Sequence, residues 1–435
     1  MTPRGLREAH AHLPAYGREM SFLNLADCAD KGQALDRIAR HAAQLDQDRE
    51  PGWLLASGLR PAAWKTGDDW PTRDELDRLC PRRPCFIGAF DHHSCAVNSP
   101  ALAAAGFHDA SPDPPGGLLR RDARGRPTGV LLESAYGAAR AAIPEPTREQ
   151  SKRYVRSAAE HLASLGFAEV HDLLTPPGLG AILAELHDEG ALPVRVRLYR
   201  PWRELDDEVE SARFYERPGV RLAGAKLFAD GTINAGTAWM LHPSPGAEPG
   251  LEFGKPLATT AELDEAIALC ARHRLQLAVH AIGDAAVRAA LDAWTRARCN
   301  GVVGSADQTP PLRIEHAELI DRADVPRFAQ LGVICSVQPC HLLYDAEALH
   351  RRYPHRLERV LPLRELIDAG LEPGRGLWFG SDVPIVRPDP ADSIIAAVHR
   401  RRLPGSPAGP PCEPIAPHQA ITEPEAWACF RLRTL

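Results

Sequence analysis

The chain has 435 residues, 44% of them hydrophobic, and a formal net charge of −6. That length is too great for one small core, and the mildly acidic balance argues against nucleic acid as a partner. No apolar run approaches the ~20 residues of a membrane helix, and the opening MTPRGLREAHAHL lacks the apolar core of a signal peptide, so a cytoplasmic protein with no membrane partner is expected.

In chain order, the first element is GLREAHAHL, a short strand bearing His10 and His12. Residues two apart in a strand share a face, so the two imidazoles project together and can grip one metal. Two incidental histidines would look the same. Residues 20–147 follow with a different texture. ALDRIARHAAQL is helical, GWLLASGL and PCFIGAF are strand-like, and DPPGG marks a loop. From residue 148 the text alternates regularly. The helical TREQSKRYVRSAAEHLASLG leads into FAEVHDL, then VRVRLYR and RLAGAKLFADG. The helical TAELDEAIALCARHR precedes LQLAVHAIGD, then LRIEHAEL, GVICSVQP and GLWFGSDVP. Short apolar runs separated by helical or loop text are the mark of successive βα units and a parallel sheet.

Seven such strands, near 168, 195, 225, 277, 313, 334 and 378, need an eighth to close a (β/α)8 TIM barrel, and GLREAHAHL supplies it. The expected organisation is therefore barrel strand 1 over 1–19, an inserted cap subdomain over 20–147, and the rest of the barrel over 148–435. An open doubly wound sheet is the alternative, but no GxGxxG follows a first strand. The ten cysteines form no CxxC pair and are expected reduced and mostly in the core. YDAEALHRR (344–352) has the look of a solvated helix.

Chemistry-bearing residues gather where barrel active sites are built, at the C-terminal ends of strands. His280 ends LAVH, His316 ends LRIEH, Asp382 follows LWFGS, and Lys226 stands on LAGAKLF. The chain has only five lysines, Lys31, Lys65, Lys152, Lys226 and Lys255, against abundant arginine. A lysine on an apolar strand is either paired with an acid such as Asp230 or kept for a task arginine cannot do, reacting as a neutral amine. Carboxylation would make it an oxygen ligand able to bridge two metals.

These segments together resemble the amidohydrolase superfamily, in its family 3 branch of N-substituted formamide deformylase-like proteins. The matching text is HAH (10–12), HHSCAVNSPAL (92–102), DPPGG (113–117), GRPTGVLLE (125–133), KLFADGTINAGTAWM (226–240), VHAIGDAAV (279–287), RIEHAE (313–318) and GSDVPI (380–385). The resemblance implies that His10, His12 and Asp382 hold a first divalent metal and His280 and His316 a second. Carboxylated Lys226 would bridge the two. One or two ions are expected, zinc first by ligand chemistry, with iron, manganese, cobalt and nickel also suited. The implied reaction is hydrolysis of an amide, formamide or cyclic amide C–N bond by metal-activated water. Asp382 is the implied catalytic group, taking the water's proton and passing it to the leaving nitrogen.

Softer expectations concern His93 and Asn98 as substrate contacts, equally readable as a loop-stabilising pair. Asp284 is expected to cap the helix after His280. His171 reads as a core or supporting group. Relatives of this kind carry an accessory β-sandwich that has no counterpart in this text; the exposed barrel face would suit a homo-oligomer. Its absence also keeps open an inactive barrel remnant or interaction protein. A metal-dependent isomerase or decarboxylase on the same barrel is the enzymatic alternative.

Overall fold

The computed structural model describes residues 4–48, 52–61, 64, 69–89, 94–245, 247, 250–304 and 308–432. The chain divides into two compact units, one formed by 1–17 with 151–435 and the other by 18–150.

The first unit is the expected barrel. Strand β1 (Leu6–Ala11) belongs to it, while β2 (Leu23–Asn24), β3 (Leu54–Leu59), β4 (Cys85–Ala89), β5 (Ser94–Val97), β6 (Gly117–Arg121) and β7 (Pro127–Glu133) belong to the second unit. The barrel continues with β8 (Phe167–Leu173), β9 (Arg195–Pro201), β10 (Val220–Phe228), β11 (Gln276–Ala281), β12 (Arg313–His316), β13 (Ile334–Val337) and β14 (Leu377–Phe379). These eight strands are parallel and ordered β1-β8-β9-β10-β11-β12-β13-β14. The sheet closes where the chain beyond β14 returns to β1. Asp382 N–H donates to the His10 carbonyl at 2.7 Å, and His12 N–H to the Val383 carbonyl at 2.9 Å.

Closure requires a glycine. A Cβ on Gly380 would lie 2.6 Å from His10 N, 2.7 Å from a Glu8 carboxylate oxygen and 3.0 Å from His10 Cβ, distances that real side chains do not sustain. Glu8 occupies this seam itself, accepting from His10 N (3.0 Å), Ser381 N (2.8 Å) and Ser381 Oγ (3.0 Å).

Helices pad the barrel's outer wall with apolar stripes, and their ends are chemically marked. Thr259 and Glu262 form a reciprocal cap on Thr260–His273, and Gly332, in the left-handed conformation at φ 66°, ends Val325–Leu331 before β13 begins. The expected solvated helix over 344–352 is different. It breaks at Asp345 into His341–Tyr344 and Ala346–Arg352, and the latter buries Ala346, Ala348 and Leu349. Small apolar residues among the charges hid that buried side.

One end of the barrel interior is polar. Arg313 is fully buried, and its guanidinium donates to His171 Nδ1 (2.8 Å), Ser336 Oγ (3.1 Å) and the Ala9 carbonyl, and pairs with Glu315. Glu169 accepts from Arg195 and Arg197, both at 3.2 Å, and contacts His171 Nε2 at 3.2 Å. Each charge of this network therefore has partners, which is what burial demands.

In the second unit, β2-β3-β4-β5-β7-β6 form a mixed sheet, parallel through β4 and antiparallel after it. The helix Lys31–Gln47 packs Ala34, Ile38 and Ala42 into this unit's core. All ten cysteines are free and eight are buried. Among the described residues no helix is long and apolar enough to cross a membrane.

Two outcomes follow. Gly380→Ala destabilises the protein by about 1–3 kcal/mol through overpacking at the seam, visible as a lower thermal midpoint. Burial works against the Glu169 carboxylate, but His171 and the two arginines outweigh it and hold its pKa at about 2, below the ordinary 4.5. Its stabilisation is thus complete above about pH 4.5 and is lost as the pH falls through 2. In acid titrations followed by denaturant unfolding, Glu169→Gln costs about 3 kcal/mol at neutral pH and close to nothing near pH 2.

Candidate metal centre

The expected ligand residues arrive together at one end of the barrel. His10 is in β1 and His12 just past it, Lys226 near the end of β10, His280 in β11, His316 the last residue of β12, and Asp382 three residues beyond β14. Asp382 Oδ1 lies 3.0 Å from His12 Nε2 and 3.3 Å from His10 Nε2. A tetrahedral ion with bonds of about 2.0–2.1 Å sets its donors roughly 3.3 Å apart, so this trio has the spacing of a ligand set. Ring centroids of His10 and His316 are 4.9 Å apart, and those of His280 and His316 4.4 Å.

The lysine is not paired with Asp230. Lys226 is 2% exposed, and its Nζ has no hydrogen-bond partner. Burial pushes its pKa down to about 8, although the charges of Glu315 and Asp382 oppose this. Asp230 is spoken for: its carboxylate accepts from Ile282 N (3.0 Å), Gly283 N (2.8 Å) and Trp239 N (2.8 Å). His316 Nδ1 is likewise buried without a partner. Two orphaned polar atoms and a convergent imidazole–carboxylate trio fit a bound divalent cation.

Orientation comes from a surrounding layer that the sequence reading did not single out. His10 Nδ1 meets Glu315 Oε2 at 2.7 Å, which turns Nε2 toward Asp382. A carboxylate behind a ligating imidazole fixes its ring and raises its basicity. His280 Nε2 donates to the Gly231 carbonyl at 3.1 Å, leaving Nδ1 as its free lone pair. His316 and Asp382 both adopt left-handed backbone, at φ 71° and 64°. Such conformations cost non-glycine residues on the order of 1–3 kcal/mol and gather at functional sites.

Electrostatics agree with ligation at three of the imidazoles; at His12 burial is outweighed by the hydrogen bond and charge of Asp382, which raise its pKa while no cation lies between them. Burial drives the imidazoles of His10 and His316 well below the usual histidine range, and that of His280 to about 4, so all three are neutral and able to coordinate at pH 7. Burial opposes the charge on Asp382, but the adjacent His10 and His12 overcome it and hold the carboxyl well below its ordinary value.

Three expectations are corrected or fall away. Asn98 is fully buried and spends its whole amide on backbone. Its oxygen accepts from Cys85 N and Ala101 N, and its nitrogen donates to the Cys80 and Arg83 carbonyls, so no group is left for a substrate. His93 lies outside the described residues. Asp284 does not cap its helix, because Gly283 holds that position. Its carboxylate ties two loops, accepting from Leu241 N (2.8 Å) and Arg356 Nη2 (2.6 Å). His171 sits on the Arg313 network, supporting the site from the barrel interior.

The family model described as "Amidohydrolase family" matches residues 1–431. Among curated proteins, Protein LONG AFTER FAR-RED 3 of Arabidopsis thaliana is 27% identical over 410 residues, covering 91% of this chain and 68% of the relative. The N-substituted formamide deformylase of Arthrobacter pascens is 24% identical over 445 residues, covering 98% and 78%. Among solved structures, an uncharacterized metal-dependent hydrolase from Pyrococcus furiosus superposes with a TM-score of 0.74 at 26% identity, covering 98% of this chain and 80% of the other.

Proposed function

The chain belongs to the amidohydrolase family, and on that premise we propose that it is a metal-dependent hydrolase cleaving a non-peptide C–N bond in an amide, formamide or cyclic amide. The observation that carries this reading is the convergence of His10 Nε2, His12 Nε2 and Asp382 Oδ1 at 3.0 and 3.3 Å beside the unpartnered amine of Lys226. The Arthrobacter pascens relative, named for formamide deformylation, supports the bond type.

His10, His12 and Asp382 would hold a first divalent ion, most suitably zinc. His280 and His316 would hold a second, and Lys226 would supply an oxygen ligand once its Nζ adds carbon dioxide and releases a proton to form a carbamate. The depressed pKa of Lys226, about 8, raises the share of the neutral amine that addition needs. Bound metal would lower the pKa of water toward 7 and polarise a carbonyl. Asp382, ionised at neutral pH, is the group that accepts the attacking water's proton and delivers it to the leaving nitrogen. Glu315 keeps His10 in register, and the Glu8–Ser381 bonds hold Asp382 at the seam. The substrate is a small molecule, and the site lies in one chain.

The test is metal content per chain alongside hydrolysis of an amide and formamide panel. The native chain is expected to carry one to two divalent ions after purification with zinc and bicarbonate. His12→Ala and Asp382→Ala each lose an ion and lower kcat by about 10²–10⁴-fold. A folded native chain that binds no metal under those conditions sinks the proposal. Chelation is expected to abolish turnover and lower the thermal midpoint, both restored by zinc.

A further inference from the structure

The ligand set is polar, but the mouth of the barrel around it is apolar. Two side chains elsewhere aside, the large apolar residues left exposed among the described residues of the first unit all stand at or past the C-terminal end of a barrel strand. Leu174 follows β8, Phe228 ends β10, Phe253 and Leu257 lie in the loop after it, and Ile385 follows β14. Phe228 is the one that reaches the site. Lys226 and Phe228 are two apart in one strand and so share a face. The Phe228 ring centroid lies 5.0 Å from that of His280 and 5.3 Å from Lys226 Nζ. Its chain neighbours Leu227 and Ala229 are buried, yet Phe228 is 37% exposed. Leu257, 54% exposed, is laid beside the same strand end, its N–H donating to the Ala229 carbonyl at 2.9 Å.

Packing gives no reason for this exposure, since Phe228 is no part of the barrel's hydrophobic core. Apolar surface left in water costs free energy in proportion to its area, and the cost is recovered when another apolar group covers it. Small-molecule sites are built this way, with apolar walls and a few polar groups that fix orientation. We infer that Phe228, with Leu257 beside it, receives an apolar group of the substrate, a hydrocarbon chain or ring attached to the scissile C–N unit. The occupant is the substrate because the ring is continuous with the candidate ligand set: a group resting on Phe228 lies against the same His280 and Lys226 that the proposed reaction uses. A small, wholly polar amide gains nothing from that surface. This inference rests on the hydrolase reading and narrows its substrates to C–N compounds carrying a hydrophobic substituent.

The experiment uses the full, zinc-loaded chain and two matched pairs of amides. N-propylformamide and N-hexylformamide differ by three methylenes on the nitrogen, butanamide and heptanamide by three on the acyl side. A buried methylene is worth about fourfold in an equilibrium, so on a half-open surface kcat/KM is expected to favour the longer member of one pair by roughly 10–50-fold. Phe228→Ala brings that ratio to within about threefold of one while metal per chain stays at the native value, and Phe228→Leu keeps most of it. Equal use of both members of each pair by the native chain overturns the inference and leaves the hydrolase reading standing. A Phe228→Ala chain that holds its metal and keeps the native preference also overturns it. If Phe228→Ala loses metal, Leu257→Ser decides: a ratio at least halved sustains the inference, and an unchanged one overturns it. If no amide is cleaved, the hydrolase reading fails and calorimetric titration with N-hexylformamide and N-propylformamide reads the surface directly. Tighter binding of the hexyl compound that disappears in Phe228→Ala sustains the apolar site, and equal binding or none overturns it.

Discussion

Everything at the site depends on the seam where the last barrel strand meets the first. The hydrogen bond from Asp382 N to the His10 carbonyl and that from His12 N to the Val383 carbonyl close the sheet and, in the same stroke, bring His10, His12 and Asp382 together. Fold and ligand geometry share one set of backbone contacts. Glycine at 380 permits the approach, and Glu8, buried between the two segments, ties Ser381 to the His10 amide. A change that loosens closure therefore moves Asp382 relative to both histidines before it touches any side chain of the site.

Behind the seam, charge is relayed across the barrel rather than excluded from it. Arg313 of β12 reaches His171 of β8, the backbone of β1 and Ser336 of β13, and grips Glu315, which in turn orients His10. Barrel interiors are more often filled by branched apolar layers. Here one end is a paired polar lattice, and its rigidity passes to the imidazole that faces Asp382.

The barrel was legible because strand text and helix text alternate at the βα period, and short Val/Ile/Leu runs are hard to mistake for anything else. The candidate ligand residues could be singled out because His10, His12, His280, His316 and Asp382 each fall at or near a strand's C-terminal end, a position that needs no long-range information. Glu315 could not be, because its meaning arises only in three dimensions. Glu315 works on His10, which is 305 positions away, and nothing local marks that pairing. Of the two readings open for Asn98, substrate contact and loop stabilisation, the second holds: its amide ties together the backbone of its own unit. Asp284 failed as a cap because capping depends on which residue stands one place outside the helix, and Gly283 takes that place.

The seam also sets an order of events during synthesis. His12 and Asp382 are 370 positions apart, so at about 5–20 residues per second β1 waits roughly 20–75 s before its second neighbour exists. Through that interval one edge of β1 has no strand to pair with, the condition under which chains pair with each other instead. The trio of His10, His12 and Asp382 cannot form in any shorter nascent chain, because its carboxylate has not yet been made. An ion held by that trio would be captured only after closure, and would distinguish fully made barrels from truncated ones.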